Sequence, residues 1–157
     1  MRRILLNSII FLLLLSILGC DSKDKLNRIP DINELCQTII ENVQYDDELV
    51  MPSQRAIEDM YDIEFNDVEE FAVFVSGTMA TSNELFVMKL ADASLSTKTI
   101  EALNGRIEDQ MNNYRDYNPS ELFRLENAMI IQEGTYFLLS VSNDNETVKK
   151  LFYDAFE

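Results

Sequence analysis

The sequence predicts an α+β fold, in which an N-terminal helix precedes two ββα units that form a four-stranded antiparallel sheet with packed helices. Three observations lead to this fold class. Apolar residues recur at three- and four-residue steps, as on one face of a helix. Apolar runs rich in Val and Phe occur in pairs, with turn residues between them. Each pair is followed by another stretch of helical periodicity.

The first helix is expected to begin at Asp31, because the apolar side chains that follow share one face. They are Ile32, Leu35, Cys36, Ile39, Ile40 and Val43. Residues 44–51 are interpreted as a loop, and a short helix is predicted to start at Pro52. Its shared face holds Ile57, Met60 and Tyr61. Residues 66–70 are expected to form one more helical turn.

The first hairpin is predicted at residues 71–76 and 85–90, which are rich in Val and Phe. Side chains along a strand alternate between the two faces of a sheet. In the second of these strands both faces are partly apolar. We therefore expect the hairpin to be covered on both sides.

A long helix is predicted next, with Ser96 as its N-cap and its end near Asp116. Its apolar stripe consists of Ile100, Leu103, Ile107, Met111 and Tyr114. The helix is expected to end there because Asn118 precedes a proline, which disfavours helical geometry. Gly105 costs about 1 kcal/mol relative to Ala. This glycine indicates either close packing or tolerance of a weak position.

A capping box is predicted immediately afterwards, with Asn118 as N-cap, Pro119 as first helical residue and Glu121 at the third position. Tyr117 and Leu122 are placed to form a hydrophobic staple across it. This pattern favours a structural role for Tyr117 over a catalytic one.

The second hairpin is predicted at residues 128–131 and 136–141, around a tight turn in which Gly134 supplies a positive φ. Asn143 or Asp144 is expected to cap the last helix. The apolar face of that helix holds Val148, Leu151, Phe152, Ala155 and Phe156.

The first 20 residues have the layout of a bacterial lipoprotein signal. Two arginines precede an apolar run from Ile4 to Leu18, and Gly19 stands immediately before Cys20. The run is too short to span a bilayer, for which about 20 residues are needed. A thiol after a small residue is the group that accepts a diacylglyceryl lipid, so Cys20 is the predicted lipidation site. An ordinary secretory signal or an uncleaved anchor is the alternative.

This signal predicts the domain limits and the location. Residues 1–19 would be a cleaved signal peptide, residues 20–30 the lipidated Cys and a flexible tether, and residues 31–157 a single α+β domain. The protein would then be anchored in the cell membrane through lipid on Cys20, on the extracytoplasmic face.

The domain is strongly acidic. The chain has a formal charge of −15, and residues 1–19 hold two of its 13 basic and none of its 28 acidic residues, which leaves −17. Such a surface repels nucleic acid, so no nucleic-acid partner is expected. The charge is compatible with a solvated surface, with cation binding or with a basic partner.

The sequence offers no recognisable catalytic, cofactor-binding or metal-binding motif. It contains no His, no glycine-rich phosphate loop and no Cys pair at zinc spacing. Cys36 has no partner if Cys20 is lipidated, and we expect it to be a buried thiol. Residues 143–146 could suggest calcium but fit a helix cap better. The adjacent carboxylates of residues 46–47 and 69–70 are expected to be solvated rather than to form a glycosidase pair.

Several short stretches spread through the domain carry a resemblance to a known family. They are residues 61–63, 70–76, 83–89, 117–121, 126–128 and 134–136. In these stretches the chain resembles a family of small lipoproteins of unknown function, common in Firmicutes such as the clostridia. The resemblance implies the same location and domain limits, and it draws attention to Glu84 and Lys89. Their spacing of five on a strand places them on opposite faces, so they cannot pair directly.

Three functions are compatible with these observations. The leading hypothesis is a non-enzymatic binding module at the membrane surface that engages a protein, a peptide or an envelope component. The second is a cell-wall hydrolase that uses carboxylates alone and therefore needs two of them in one concave pocket. The third is a binder of divalent cations or small ligands, which the acidity suggests.

The predicted anchor can be tested by palmitate labelling. Replacing Cys20→Ala removes the acceptor thiol, so we expect the protein to lose both the label and its retention in membranes. Cys36→Ala is the matched control and should keep both. Undiminished label on Cys20→Ala would contradict the prediction.

Overall fold

A computed structural model of the chain describes residues 30–63 and 65–157. The predicted signal peptide, Cys20 and the tether as far as residue 29 lie outside the described residues. Pro30, the first described residue, is already buried. Within the described ranges, none of the helices has the length and apolar character required to cross a membrane.

A five-stranded antiparallel sheet forms the centre of the domain, with the strand order β1-β2-β3-β5-β4. The strands are β1 (Leu49–Val50), β2 (Val68–Ser76), β3 (Glu84–Leu90), β4 (Met129–Glu133) and β5 (Tyr136–Val141). The α+β class is confirmed, but the prediction of four strands is wrong. Part of the expected loop at residues 44–51 forms β1, which pairs with the end of β2. Two residues are too few to show the alternation that predicts a strand.

Within the part of the chain that the structure describes, five α-helices pack against this sheet. They are α1 (Ile32–Asn42), α2 (Gln54–Met60), α3 (Ser96–Tyr117), α4 (Leu122–Glu126) and α5 (Asn145–Asp154). Short 3₁₀ turns precede β2, α3 and α4. The turn before β2 covers only Phe65–Asp67, so the helical turn expected at residues 66–70 gives way to strand at Val68. Pairing of Val68 with Leu90 of β3 overrides the local preference there.

The sheet separates two hydrophobic cores, because side chains alternate between its faces. Leu85 and Val87 of β3 join the core under α1 and α5. Phe86 and Met88 join the core under α2, α3 and α4. The central strands are therefore covered on both sides, as the apolar pattern of residues 85–90 predicts.

The local signals at the helix ends have mixed outcomes. Asp144 caps α5, since its Oδ1 accepts a hydrogen bond from the Thr147 N–H at 3.1 Å. Ser96 is not an N-cap: Asp92 caps the preceding turn, and Ser96 Oγ donates to the Ala93 carbonyl. Nothing packs within 4 Å of the place where a Cβ on Gly105 would lie, so this glycine is a tolerated weak position.

The core beneath α5 provides a test of this packing. Phe152 is completely buried, and Phe152→Ala should lower the free energy of unfolding by about 3–5 kcal/mol because it leaves a cavity. Lys149→Ala on the exposed side of the same helix should change it by less than about 0.5 kcal/mol. Urea denaturation measures both, and equal losses would contradict the assignment of the α5 face.

Candidate functional site

Glu84 is the least expected member of the buried interior. It is the first residue of β3, and its side chain lies on the same face as Phe86 and Met88, towards α3. Only 1% of the residue is exposed. A buried carboxylate is costly unless it is paired and hydrogen-bonded, so its surroundings must supply donors.

Four donor groups, one from the residue that follows α2 and three from α3, surround the Glu84 carboxylate. Tyr61 directly follows α2, and its hydroxyl donates to Oε1 at 2.5 Å. Nε2 of Gln110, on α3, donates to Oε2 at 2.7 Å. Arg106 of α3 donates through Nη2 at 2.6 Å and through Nε at 3.2 Å to each oxygen. These donors fill the roughly four acceptor positions of a carboxylate. Glu84 is therefore fully engaged within the protein.

Their surroundings fix the charge states of Tyr61 and Arg106. Burial raises the pKa of Tyr61 well above its ordinary value, and the Glu84 carboxylate raises it further. Burial alone would lower the pKa of Arg106, but Glu84 beside it raises that pKa above its ordinary value. The phenol therefore stays neutral and the guanidinium stays charged at physiological pH.

A cavity of about 490 Å³ opens above this ion pair. Its floor consists of Glu84, Arg106 and Gln110. We call residues 77–83, which connect β2 to β3, the rim loop, and several of them form one wall. The remaining walls are largely apolar or aromatic and include Met60, Val75, Tyr114 and Tyr117, and Met79 of the rim loop adds a further apolar side chain. The cavity therefore combines a charged floor with a predominantly apolar mouth.

Hydrogen bonds to the end of α3 hold the rim loop in place. The Tyr114 hydroxyl donates to the carbonyls of Met79 and Thr81, and Asn118 Nδ2 donates to the Ala80 carbonyl at 3.1 Å. Met79 has φ +57°, a left-handed conformation that is uncommon outside glycine. Burial and then the charge of Glu121 raise the pKa of Tyr114 to about 12, so this hydroxyl remains a donor.

Glu121 also binds the rim loop, through Ser82. Its Oε2 accepts hydrogen bonds from the Ser82 N–H at 2.8 Å and the Ser82 hydroxyl at 2.9 Å, and it forms an ion pair with Arg124. Asn118 is the N-cap and Pro119 the first residue of the turn, as predicted, but the capping box does not form, because the Glu121 side chain binds Ser82 and the Asn118 side chain makes no cap bond. The Arg124 guanidinium and the buried Ser82 N–H satisfy the Glu121 carboxylate instead. Tyr117, expected in a hydrophobic staple, is 69% exposed.

The adjacent carboxylates of residues 46–47 also hold this region together. Asp46 forms an ion pair with Arg124. Asp47 accepts hydrogen bonds from the Ser76 hydroxyl at 2.5 Å and from the Thr78 N–H at 3.0 Å. The bonds from Ser76 and Thr78 lower the pKa of Asp47 to about 2. Both residues are at least partly exposed to solvent, as expected, and each also has defined partners.

The other residues predicted to be of interest lie elsewhere. Lys89 lies on the opposite face of β3 from Glu84, as their spacing predicts, and pairs with Glu69 at 2.8 Å. Cys36 lies on the buried face of α1, and this burial raises the pKa of its thiol to about 12. Asp144 of the suggested calcium stretch serves as a helix cap. In residues 30–63 and 65–157, no group of three or more acidic or Cys side chains could hold a metal ion.

The contribution of α3 to the site was not predicted from the sequence. Arg106, Gln110, Asn113 and Tyr117 line the cavity and follow one another at steps of four, three and four residues. This spacing places them on one helical face, beside the apolar stripe. The same periodicity that identified the apolar stripe could have identified this polar one.

Comparison with known proteins adds a sequence family. Residues 43–142 match the family described as a domain of unknown function, DUF4358. This family segment, residues 43–142, covers more than half of the chain and contains the whole sheet and every residue of the cavity. No curated protein and no solved structure matches the chain.

The buried ion pair can be tested by removing one charge. Glu84→Gln leaves the Arg106 guanidinium buried without its counter-charge, so we expect the free energy of unfolding to fall by about 3–5 kcal/mol. Glu108→Gln makes the same chemical change at an exposed position of α3 and should be nearly neutral. Urea unfolding at pH 7 measures both. Equal stability of the two variants would show that the pair does not hold the floor.

The lowered pKa of Asp47 predicts a specific acid response. Its carboxyl titrates near 3.8 when unfolded and near 2 when folded, so its contribution is present above about pH 4 and is lost as the pH falls through about 2. Stability should therefore fall less steeply between pH 4 and 2 in Asp47→Asn than in the unchanged protein. Asp59→Asn, at an exposed position of α2, should keep the original slope. Thermal melts across this range make the comparison.

Proposed function

The chain belongs to the DUF4358 family of domains of unknown function, and we propose that it is a membrane-anchored, extracytoplasmic binding module whose ligand site is the cavity above Glu84. One observation carries this proposal. The cavity has a charged floor that the protein itself has satisfied, and an apolar, aromatic mouth that nothing in the described chain covers. Such a combination of apolar walls and a few placed polar groups is typical of ligand sites.

The floor favours binding over hydrolysis. A hydrolase that relies on carboxylates needs two of them facing the same substrate bond. Among the described residues that line the cavity, Glu84 is the single carboxylate, and its oxygens already accept from Tyr61, Arg106 and Gln110. A carboxylate engaged in this way is poorly placed to act as nucleophile or general acid. The cavity is therefore best interpreted as a recognition site.

The proposed anchor agrees with the layering of the domain. The signal-like start and Cys20 are the basis for lipidation. The described chain begins at Pro30, directly before α1, and α1 packs on the face of the sheet opposite the cavity. A tether of about ten residues extends at most ~35 Å. An attachment of this kind holds the domain near the bilayer by its α1 layer and leaves the other layer for a ligand.

Site-specific crosslinking in intact cells tests this proposal. A photoreactive amino acid at position 117, at the cavity mouth, should give a discrete adduct because Tyr117 is 69% exposed beside the proposed site. The matched control is the same substitution at Tyr153, an exposed aromatic residue of α5 on the opposite layer. We expect no adduct there.

Two outcomes would overturn the proposal. Adducts of equal yield at positions 117 and 153 would show that other molecules contact the domain without preferring the surface at the cavity. Adducts at position 117 that persist unchanged when Cys20→Ala releases the protein from the membrane would separate the site from anchorage and argue against a membrane-bound role.

A further inference from the structure

We infer that the cavity takes an extended peptide segment, neutral or basic in charge and internal to a longer chain, which it holds by backbone amides along α3. This inference rests on the proposed function and names the class of ligand for the same site. It depends on the spacing of polar groups, on which of their atoms are unused, and on the local charge.

The polar residues of α3 form a ladder along the cavity. Arg106, Gln110, Asn113 and Tyr117 rise by about 6, 4.5 and 6 Å, since an α-helix rises about 1.5 Å per residue. In an extended chain, groups that point the same way recur about every 6.8 Å, which is two residues. Alternate backbone amides of such a chain are therefore spaced closely enough to the turns of α3, which rise about 5.4 Å each, for the long polar side chains to reach them.

The unused atoms of this ladder include both donors and acceptors. Arg106 gives Nε and Nη2 to Glu84, which leaves the hydrogens of its Nη1 outside the ion pair. Gln110 gives its Nε2 to Glu84, and its Oε1 accepts no hydrogen bond within the described chain. Asn113 is exposed, and no hydrogen bond to a described residue engages its amide. A peptide group, which carries one donor and one acceptor, fits such a mixed set.

The local charge excludes an acidic ligand. The one cation of the cavity lining, Arg106, is neutralised by Glu84 at 2.6 Å. Asp47 accepts hydrogen bonds from Ser76 and Thr78, which both line the cavity, and so adds a negative charge beside it. An anionic group, including the free carboxylate at the end of a peptide, would meet a net negative site. We therefore infer an internal segment with neutral or basic side chains.

The mouth supplies an apolar contact for the side chains of that segment. Met79 and Tyr117 line the cavity and are 72% and 69% exposed, and Val50, 42% exposed, packs against Gly77 of the rim loop. Clusters of exposed apolar side chains mark interaction sites, and Met suits variable partners.

Fluorescence polarisation with labelled pentapeptides tests the inference, using the full lipidated chain in detergent micelles with empty micelles subtracted. The first probe has the sequence Gly-Lys-Leu-Lys-Gly with both ends blocked, the second replaces Lys by Glu, and the third has the first sequence with a free carboxyl end. We expect binding of the first, weaker binding of the third and none of the second. Equal binding of the three would overturn the inference.

Two neighbouring asparagines of α3 localise the binding. Asn113→Ala removes one ladder group without touching the core and should weaken the first probe about three- to tenfold. Asn112→Ala is exposed, does not line the cavity and should leave the affinity unchanged. Equal affinities of the two variants, with unchanged melting temperatures, would overturn the peptide assignment.

A carbohydrate probe distinguishes failure of this inference from failure of the proposed function. Chitotriose is a neutral ligand that also carries amide groups, and calorimetry measures its binding to the same preparations. If chitotriose binds in a manner sensitive to Asn113→Ala and the first peptide does not bind, the peptide inference fails while the cavity stands as the ligand site. If no probe binds and no crosslink forms at position 117, both fail.

Discussion

Burial of the Glu84 charge sets the positions of most elements around the cavity. A carboxylate with 1% exposure at the start of β3 is tolerated because Arg106 and Gln110 of α3 and Tyr61 after α2 all donate to it. These contacts fix how α3 crosses the sheet and where the chain leaves α2. An apolar residue at this position would pack against the same core with fewer directional constraints, so the ion pair gives the site its defined geometry.

A second group of charges fixes the rim loop from the other side. Glu121 holds Ser82, Asp47 holds Thr78, and Arg124 joins Glu121 to Asp46. The loop between β2 and β3 is thus tied at several points although it has no regular structure of its own. Because both ends and the middle are held, the wall of the cavity is formed before any ligand arrives, which reduces the entropy lost on binding.

Much of the framework could be predicted from the sequence. The β3 and β5 strands and the apolar face of α1 follow from patterns that extend over six or more residues. The edge strand β1 could not be predicted, because it consists of two residues that pair with a distant strand. The role of Glu121 was misread because a local capping pattern ignores a partner 39 residues away. Glu84 drew attention through a resemblance, but its partners on α3 became evident only from the packing of the helix on the sheet.

The two hydrophobic cores, one on each face of the sheet, determine which fragments of the chain can fold. Residues 43–142 contain the whole sheet but neither α1 nor α5. A fragment with these limits would keep the cavity and yet expose the sheet face that bears Leu85, Val87 and Leu138, all completely buried in the full domain. An uncovered apolar sheet face of this kind promotes aggregation. The autonomous folding unit is therefore longer than the family segment, and the helices at both ends act as a cover that keeps the sheet in solution.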